Sequence, residues 1–300
     1  MPVYSHVLHG VRIASDVLLP DVALGDPALD PQVSIRMSAV PSQLHDATRR
    51  THSSETDGKR WLFTAPGIAR YLVTAGKEIA IETQQAANPE AVMAFLLGTA
   101  WAACCHQRGL LIVHASVALI GGKSVAFVGA SGAGKSTLAA LLAARGHCIA
   151  ADDTCVLTLD DTGIVRGHPG YPQLKLWSDG LSLLPAAAAR ARSAIQPGKF
   201  RLPLESHWVD ASLRLHHVLE LADDRDGAAI GFEQLCGLHA TRVIADNTFR
   251  PRLVDMLGRQ RENFAMSTAV ADAIDVHRWI RPWGWSRHGE MLAMLEKWLG

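Results

Sequence analysis

Cysteine is scarce and unpatterned in this chain: five residues, Cys104, Cys105, Cys148, Cys155 and Cys236, with no CxxC or other ligand spacing. An odd set without a framework excludes a disulfide scaffold or a zinc module, and fits free thiols in a reducing compartment. An excess of charge is also missing, since 29 Lys and Arg face 29 Asp and Glu. Nucleic-acid and membrane-surface binding would call for a basic surplus, so neither is expected. Long apolar runs are missing too. The stretches Ala91–Cys105 and Leu110–Ile120 are broken by Gly98, Gly109 and His114, and both fall short of the ~20 residues of a membrane span. The opening MPVYSHVLHGVRIASDVLL has no basic region followed by a long apolar core, so no signal peptide is read. Repeats are lacking, and Ala186–Ala189 is the only low-complexity tract. The expectation is a cytoplasmic protein.

What is present is apolar residue in quantity, 48% of 300, enough for one large α/β domain or a core with a smaller companion. Up to about Thr83 the chain alternates short β-like runs: Val7–Ile13, Val33–Met37, Arg60–Thr64, Ala69–Thr74 and Glu78–Glu82. Turn signals such as Asp57-Gly58 and Ala75-Gly76 separate them. A small β-rich domain over 1–86 is expected, with polar Leu44–Ser54 as a loop, followed by a catalytic domain over 87–300. Asn88-Pro89-Glu90 reads as a helix start, the helix running through Ala91–Arg108 to Gly109. Two β runs, Leu111–Ile120 and Ser124–Val128, meet at Gly121-Gly122 as a hairpin. A helix Lys135–Arg145 closes at Gly146, then strands Cys148–Ala151 and Thr154–Leu159 follow. Ser182–Gly198 reads as helical and then irregular. Further on, β runs His216–Leu221 and Val276–Trp279 alternate with helices Pro251–Phe264 and Gly289–Trp298.

The chemistry concentrates at Gly129-Ala130-Ser131-Gly132-Ala133-Gly134-Lys135-Ser136, followed by Thr137. This satisfies G-x-x-x-x-G-K-[ST] at every position, between a strand and a helix as a phosphate-binding loop requires. Glycines let main-chain N–H groups converge on phosphate oxygens, and the helix start adds a favourable dipole. Lys135 would sit on the β- and γ-phosphates of ATP, and the Ser136 hydroxyl would ligate Mg²⁺. Asp152-Asp153 ends the strand after the P-loop helix, where a carboxylate can meet metal or acceptor. Adjacent strand residues point to opposite faces, so the two take separate roles, one toward the acceptor and Asp153 toward Mg²⁺ or a supporting bond. A solvated strand-end turn is the alternative. His114, within an apolar strand near the loop, is read as a partner for an Asp carboxylate.

The stretch from His114 to Asp153 resembles the catalytic domain of the HPr kinase/phosphorylase family. Members carry a histidine on the strand before the P-loop, a GxSGxGKS loop, then RGH and a strand ending ADD. Here these are His114, Gly129–Ser136, Arg145-Gly146-His147 and Ala151-Asp152-Asp153. The resemblance implies an α/β fold with a P-loop core akin to phosphoenolpyruvate carboxykinase, and phosphate transfer from ATP to a serine hydroxyl. It implies Asp152 as the general base with His114 beside it. The bifunctional members' Glu-x-Arg-Gly segment has no counterpart, since this chain reads Val165-Arg166-Gly167-His168-Pro169-Gly170. A Pro-Val-Arg-Pro-Gly pattern is lacking as well, so the resemblance does not by itself imply phosphorylase activity or recognition of HPr. A kinase of a folded regulatory protein such as HPr, and a regulatory module that binds ATP without transfer, stay open as alternatives.

The rest of the chain resembles the shorter HPr-kinase-like proteins encoded beside lasso-peptide genes, through HGVRIASDVLLPD, HPGYPQLKLW, GKFRLPL and VHRWIRPWGWSRHGEMLAMLEKWL. That likeness implies a peptide partner, a precursor phosphorylated on its C-terminal serine. Lys175, Lys199 and Arg201 are candidates for neutralising phosphate or a peptide carboxylate, with solvated surface charge as the alternative. Trp279, Trp283 and Trp285 are read either as groove lining or as core, and His216-His217 as structural. HPr kinases are hexameric; for this chain a homo-oligomer is left open.

Overall fold

The computed structural model describes residues 3–184, 191–192, 198–224 and 231–300. Chain contacts divide it into two units. The first comprises 1–112 with 249–263, and the second 113–193, 198–248 and 264–300, apart from residues not described. No helix among the described residues is long and apolar enough to cross a membrane.

The first unit is an eight-stranded mixed sheet with a helical segment against it. The expected single run Val7–Ile13 is two strands, Tyr4–Leu8 and Val11–Ser15. His9 and Gly10, both at positive φ, make the reversal between them, and apolar alternation continuing through the turn concealed it. Val33–Met37, Arg60–Ala65, Ala69–Thr74 and Glu78–Thr83 form where alternation predicts them. In Ala69–Thr74, residues Ala69, Tyr71 and Val73 are fully buried while their neighbours are not. Leu44–Ser54 is not all loop, because Arg49–Arg50 pairs with Ser54–Thr56 at the sheet edge. The helical segment begins at Pro89 with Asn88 Oδ1 accepting from the Glu90 N–H. It passes through a π-type stretch, Leu96–Ala100, and ends at Gln107. Gln107 ties it to the sheet, accepting from the Gly76 N–H at 2.7 Å and donating to the Lys59 carbonyl at 3.2 Å.

The second unit is built on a six-stranded sheet whose middle is parallel: Lys123–Val128, His217–Asp224 and Asp275–Pro282 lie side by side in that order. Ser116–Ile120 pairs antiparallel with Lys123–Val128 through Gly121-Gly122, both at positive φ. Cys148–Ala151 pairs on its other edge and Gly231–Leu235 closes the far side. The run expected from Leu111 to Ile120 is interrupted at His114-Ala115. There the His114 N–H leaves the ladder for the Asn247 carbonyl, at 2.7 Å. Pro251–Phe264 is likewise two helices, Pro251–Met256 and Gln260–Asp272, because Gly258 adopts φ 68° between them. Of Ser182–Gly198, residues 185–190 and 193–197 lie outside the described residues.

The P-loop helix, Lys135–Ala144, is apolar almost all round and buried to match. It packs with the helix His288–Leu299 and the strand Gln173–Trp177 in one core containing Phe127, Leu138, Leu142, Leu174, Trp279 and Leu295. A helix held on several sides cannot shift its first turn without opening that core, which fixes the loop feeding it. Leu138 is fully buried one turn in. Leu138→Ala should therefore destabilise the protein by about 2–5 kcal/mol in urea unfolding; a loss below about 0.5 kcal/mol would mean that this core does not hold the helix.

Candidate active site

At the C-terminal end of Lys123–Val128 the chain turns at Gly129, with φ 137°. A Cβ there would stand 3.1 Å from the Leu221 carbonyl oxygen, so only glycine fits the turn. The Gly129 N–H donates to Asn247 Oδ1 at 2.8 Å. Gly132 and Gly134 also take positive φ, and Ala130, Ser131 and Gly132 are exposed at the tip. The first main-chain bond of the helix runs from the Leu138 N–H to the Gly134 carbonyl. That leaves the N–H groups of Lys135, Ser136 and Thr137 without intrahelical partners, the arrangement an anion site uses. Lys135 is 6% exposed, and its Nζ donates to the carbonyls of Gly129 at 2.7 Å and Ala130 at 3.2 Å. Burial lowers its pKa, opposed by the charges of Asp152 and Asp153 and reinforced by Lys199.

The two aspartates face different partners, but not by strand alternation, since the strand Cys148–Ala151 ends before them. Antiparallel pairing of Val117 with Ala151 brings Asp152 beside Ser116, whose Oγ donates to Asp152 Oδ1 at 2.6 Å. The Lys175 N–H donates to Asp152 Oδ2 at 3.2 Å. Burial, then the charge of Asp153, pushes the Asp152 pKa up, while hydrogen bonds from Ser116, Lys175 and the P-loop Ser136 oppose the rise. Asp153 takes a left-handed conformation, φ 71°, which is uncommon for a residue with a Cβ. Its carboxylate meets Lys175 Nζ at 2.9 Å and lies 3.6 Å from His114 Nε2. Burial would raise its pKa, but the Lys175 ammonium above all, then His114 and Lys199, hold it below the usual carboxylate range. His114 was expected beside Asp152 and stands beside Asp153. The break in the strand at His114 and the left-handed turn at Asp153 bring these two together.

Lys175, Lys199 and Arg201 lie on one hairpin, Gln173–Trp177 against Lys199–Pro203, with Lys175 opposite Arg201 and Trp177 opposite Lys199. Alternation turns Leu174, Leu176 and Leu202 into the core and gives the three cations a common face. Trp177 is 52% exposed, and Lys199 Nζ stands 5.3 Å from its ring centroid. Lys175 Nζ also donates to the Tyr171 hydroxyl at 3.4 Å. Burial alone would lower the Lys175 pKa, but Tyr171 and Asp153 more than offset it and raise it above the ordinary lysine value.

Asn247 and Arg281 gave no sequence signal, and Trp285 was read only as groove lining or core. Asn247 follows the helix Gly237–Asp246 and accepts from Gly129 through a side chain 118 residues away in sequence. Arg281 and Trp285 reach the loop from near the end of the chain. Arg281 donates to the Ala133 carbonyl, and Trp285 packs against Gly134. Ser116 could have been found, since it lies two residues beyond His114 in the segment that pairs with the strand leading to Asp152. The other tryptophans divide: Trp279 is core, whereas Trp283 is 62% exposed. His216 and His217 border a separate cleft of about 530 Å³ that also takes in Lys123 and Asp275, at the opposite ends of the parallel strands. Among the described residues no group of three or more His, Cys, Asp or Glu could hold a metal alone. A divalent ion at Ser136 would then draw its remaining ligands from phosphate oxygens and water, as Mg²⁺ does in nucleotide sites.

No family model matches the chain. It is 37% identical over 101 residues to the HPr kinase/phosphorylase of Bordetella pertussis, and equally so to those of Bordetella parapertussis and Bordetella bronchiseptica. The match takes in 33% of this chain and 32% of each relative, so it spans about a third of the length of the curated proteins it resembles. Among solved structures, the Hpr(Ser) kinase/phosphatase from Coxiella burnetii matches over 63% of this chain and 87% of that one, at 14% identity and a TM-score of 0.34. That structural likeness is too slight to argue from. Homology to HPr kinase/phosphorylase therefore stands on sequence, for one third of the chain.

Proposed function

We propose that this protein is a kinase that transfers the γ-phosphate of ATP to the serine hydroxyl of a peptide. The observation that carries this reading is the meeting of a P-loop, a pair of aspartates with opposed pKa shifts and a basic strand pair within one unit. Homology to HPr kinase/phosphorylase over a third of the chain supports a serine acceptor. The resemblance of HGVRIASDVLLPD, HPGYPQLKLW, GKFRLPL and the C-terminal segment to HPr-kinase-like proteins of lasso-peptide clusters supports the C-terminal serine of a precursor peptide as that acceptor.

Main-chain N–H groups of Gly134, Lys135, Ser136 and Thr137 and the Lys135 ammonium would hold the triphosphate. Mg²⁺ bound with ATP would supply neutralisation of the charge shared between β- and γ-phosphates. Ser136 is the residue for that ion, and Asp152, hydrogen-bonded to Ser136, is its carboxylate neighbour. Asp153, a third exposed and beside His114, is the better-placed carboxylate for the acceptor hydroxyl. This exchanges the two aspartate roles expected from the sequence. A depressed pKa keeps Asp153 ionised at neutral pH, and a loose phosphoryl-transfer transition state asks little basicity of it. Its task is to orient the hydroxyl in line and take its proton. Lys175, Lys199 and Arg201 would neutralise the incoming peptide carboxylate and the transferred phosphate.

Incubation with labelled ATP and a precursor peptide ending in serine should label that serine. Label on HPr alone would redirect the acceptor, and tight ATP binding without transfer to either would make this a nucleotide-binding regulatory module. Asp153→Asn should lower kcat by about 10²–10⁴-fold with little change in ATP affinity. Unchanged turnover would remove Asp153 from the reaction.

Asp152 gives a prediction in stability. Its pKa is raised by folding, so the ionised side chain opposes folding above that pKa, and the penalty disappears below the unfolded value. Without nucleotide, Asp152→Asn should be more stable than the parent at pH 7 in urea unfolding. The advantage should shrink as pH falls through the raised pKa. An advantage that persists unchanged at pH 3 would contradict this origin.

A further inference from the structure

Arg281 is 3% exposed, at the end of the parallel strand Asp275–Pro282. A guanidinium is costly to bury, and this one is incompletely paired. Strand register sets it opposite Asp223, with which it forms an ion pair at 3.3 Å. Its Nε is buried without a hydrogen-bond partner, and burial lowers its pKa against the pull of Asp223. Its face lies 5.1 Å from the Trp285 ring. The nitrogen that faces Asp223, Nη2, also donates to the Ala133 carbonyl inside the P-loop. A Leu or Met would fill this position without an orphaned donor, so stability alone does not account for an arginine.

A trans peptide is planar, with its C=O and N–H pointing in opposite directions, and the chain has no cis bonds. The donor that takes the Ala133 carbonyl therefore also sets the direction of the Gly134 N–H. Trp285 constrains the same peptide on another side, since a Cβ on Gly134 would stand 2.4 Å from its Cζ2. Gly134 is at φ 86°, where no side chain biases the plane.

We infer that Arg281 is a positioning residue, holding the Ala133–Gly134 peptide with its carbonyl turned out so that the Gly134 N–H is available to a bound phosphate. Trp285 is the backstop that keeps both the guanidinium and the glycine in place. The inference rests on the loop being a polyphosphate site, as proposed above, and does not depend on the acceptor.

Arg281→Gln and Arg281→Lys in the full chain test it by two readouts that need no acceptor. Hydrogen exchange in Arg281→Gln should accelerate in peptides covering 129–137 and stay at the parental rate in Lys123–Phe127 and His217–Leu221. Affinity for inorganic tripolyphosphate, by calorimetry, should fall by about tenfold, the worth of one charge-assisted hydrogen bond. Arg281→Lys, which keeps the charge and one donor, should recover part of both and serves alone if the glutamine variant fails to fold. Parental loop exchange in both variants would overturn the inference, as would acceleration spread evenly over the sheet, which would make Arg281 a general structural residue. If the parent bound no tripolyphosphate, the polyphosphate reading would fall, and with it the assignment of Arg281 to phosphate.

Discussion

A main-chain cradle can offer its N–H groups to an anion only if its carbonyls are turned away from it, because each peptide carries both at opposite ends of one rigid plane. The loop 129–137 meets this constraint with side chains drawn from distant parts of the second unit. Lys135 reaches back to the carbonyls of Gly129 and Ala130. Arg281 takes the carbonyl of Ala133. Asn247 accepts the N–H of Gly129, and its own carbonyl receives His114. One asparagine thus links the entrance of the loop to the residue that flanks Asp153.

Charge in the site is arranged on the same economy of space. Two adjacent carboxylates, a buried lysine and a second, half-buried lysine lie within one small volume, where burial of charge is costly without a partner. Their environments push the aspartates apart: Asp152 toward a higher pKa in a pocket of hydroxyls and one amide, Asp153 toward a lower one against Lys175 and His114. Neighbouring groups with opposed shifts are a mark of functional sites, since structure alone would favour apolar residues in such a place. The left-handed backbone at Asp153 is the local strain that makes the separation possible.

The basic hairpin shows how a surface is built from a core. Its apolar residues alternate into the cluster that also holds the P-loop helix. Burial on one face therefore determines which residues stand on the other: Lys175, Lys199, Arg201 and Trp177. Loop and hairpin share one hydrophobic anchor, so the phosphate cradle and the cationic face keep a fixed relation.

The P-loop was legible because its chemistry is local: glycines at fixed offsets, a lysine and a serine between an apolar strand and an alanine-rich helix. The strands Val33–Met37 and Ala69–Thr74 were legible because one face is buried and the period is two, and Cys148–Ala151 because it is a short, continuously apolar run. The breaks at His9-Gly10, His114-Ala115 and Gly258 were missed, because a single glycine or histidine inside a periodic run does not by itself fix whether the backbone turns there. Which aspartate faces His114, and the parts played by Asn247, Arg281 and Trp285, were settled by strand register and long-range contact. Spacing along a chain encodes neighbours a few residues apart. It holds no information about which carbonyl, more than a hundred residues away, a buried guanidinium will reach.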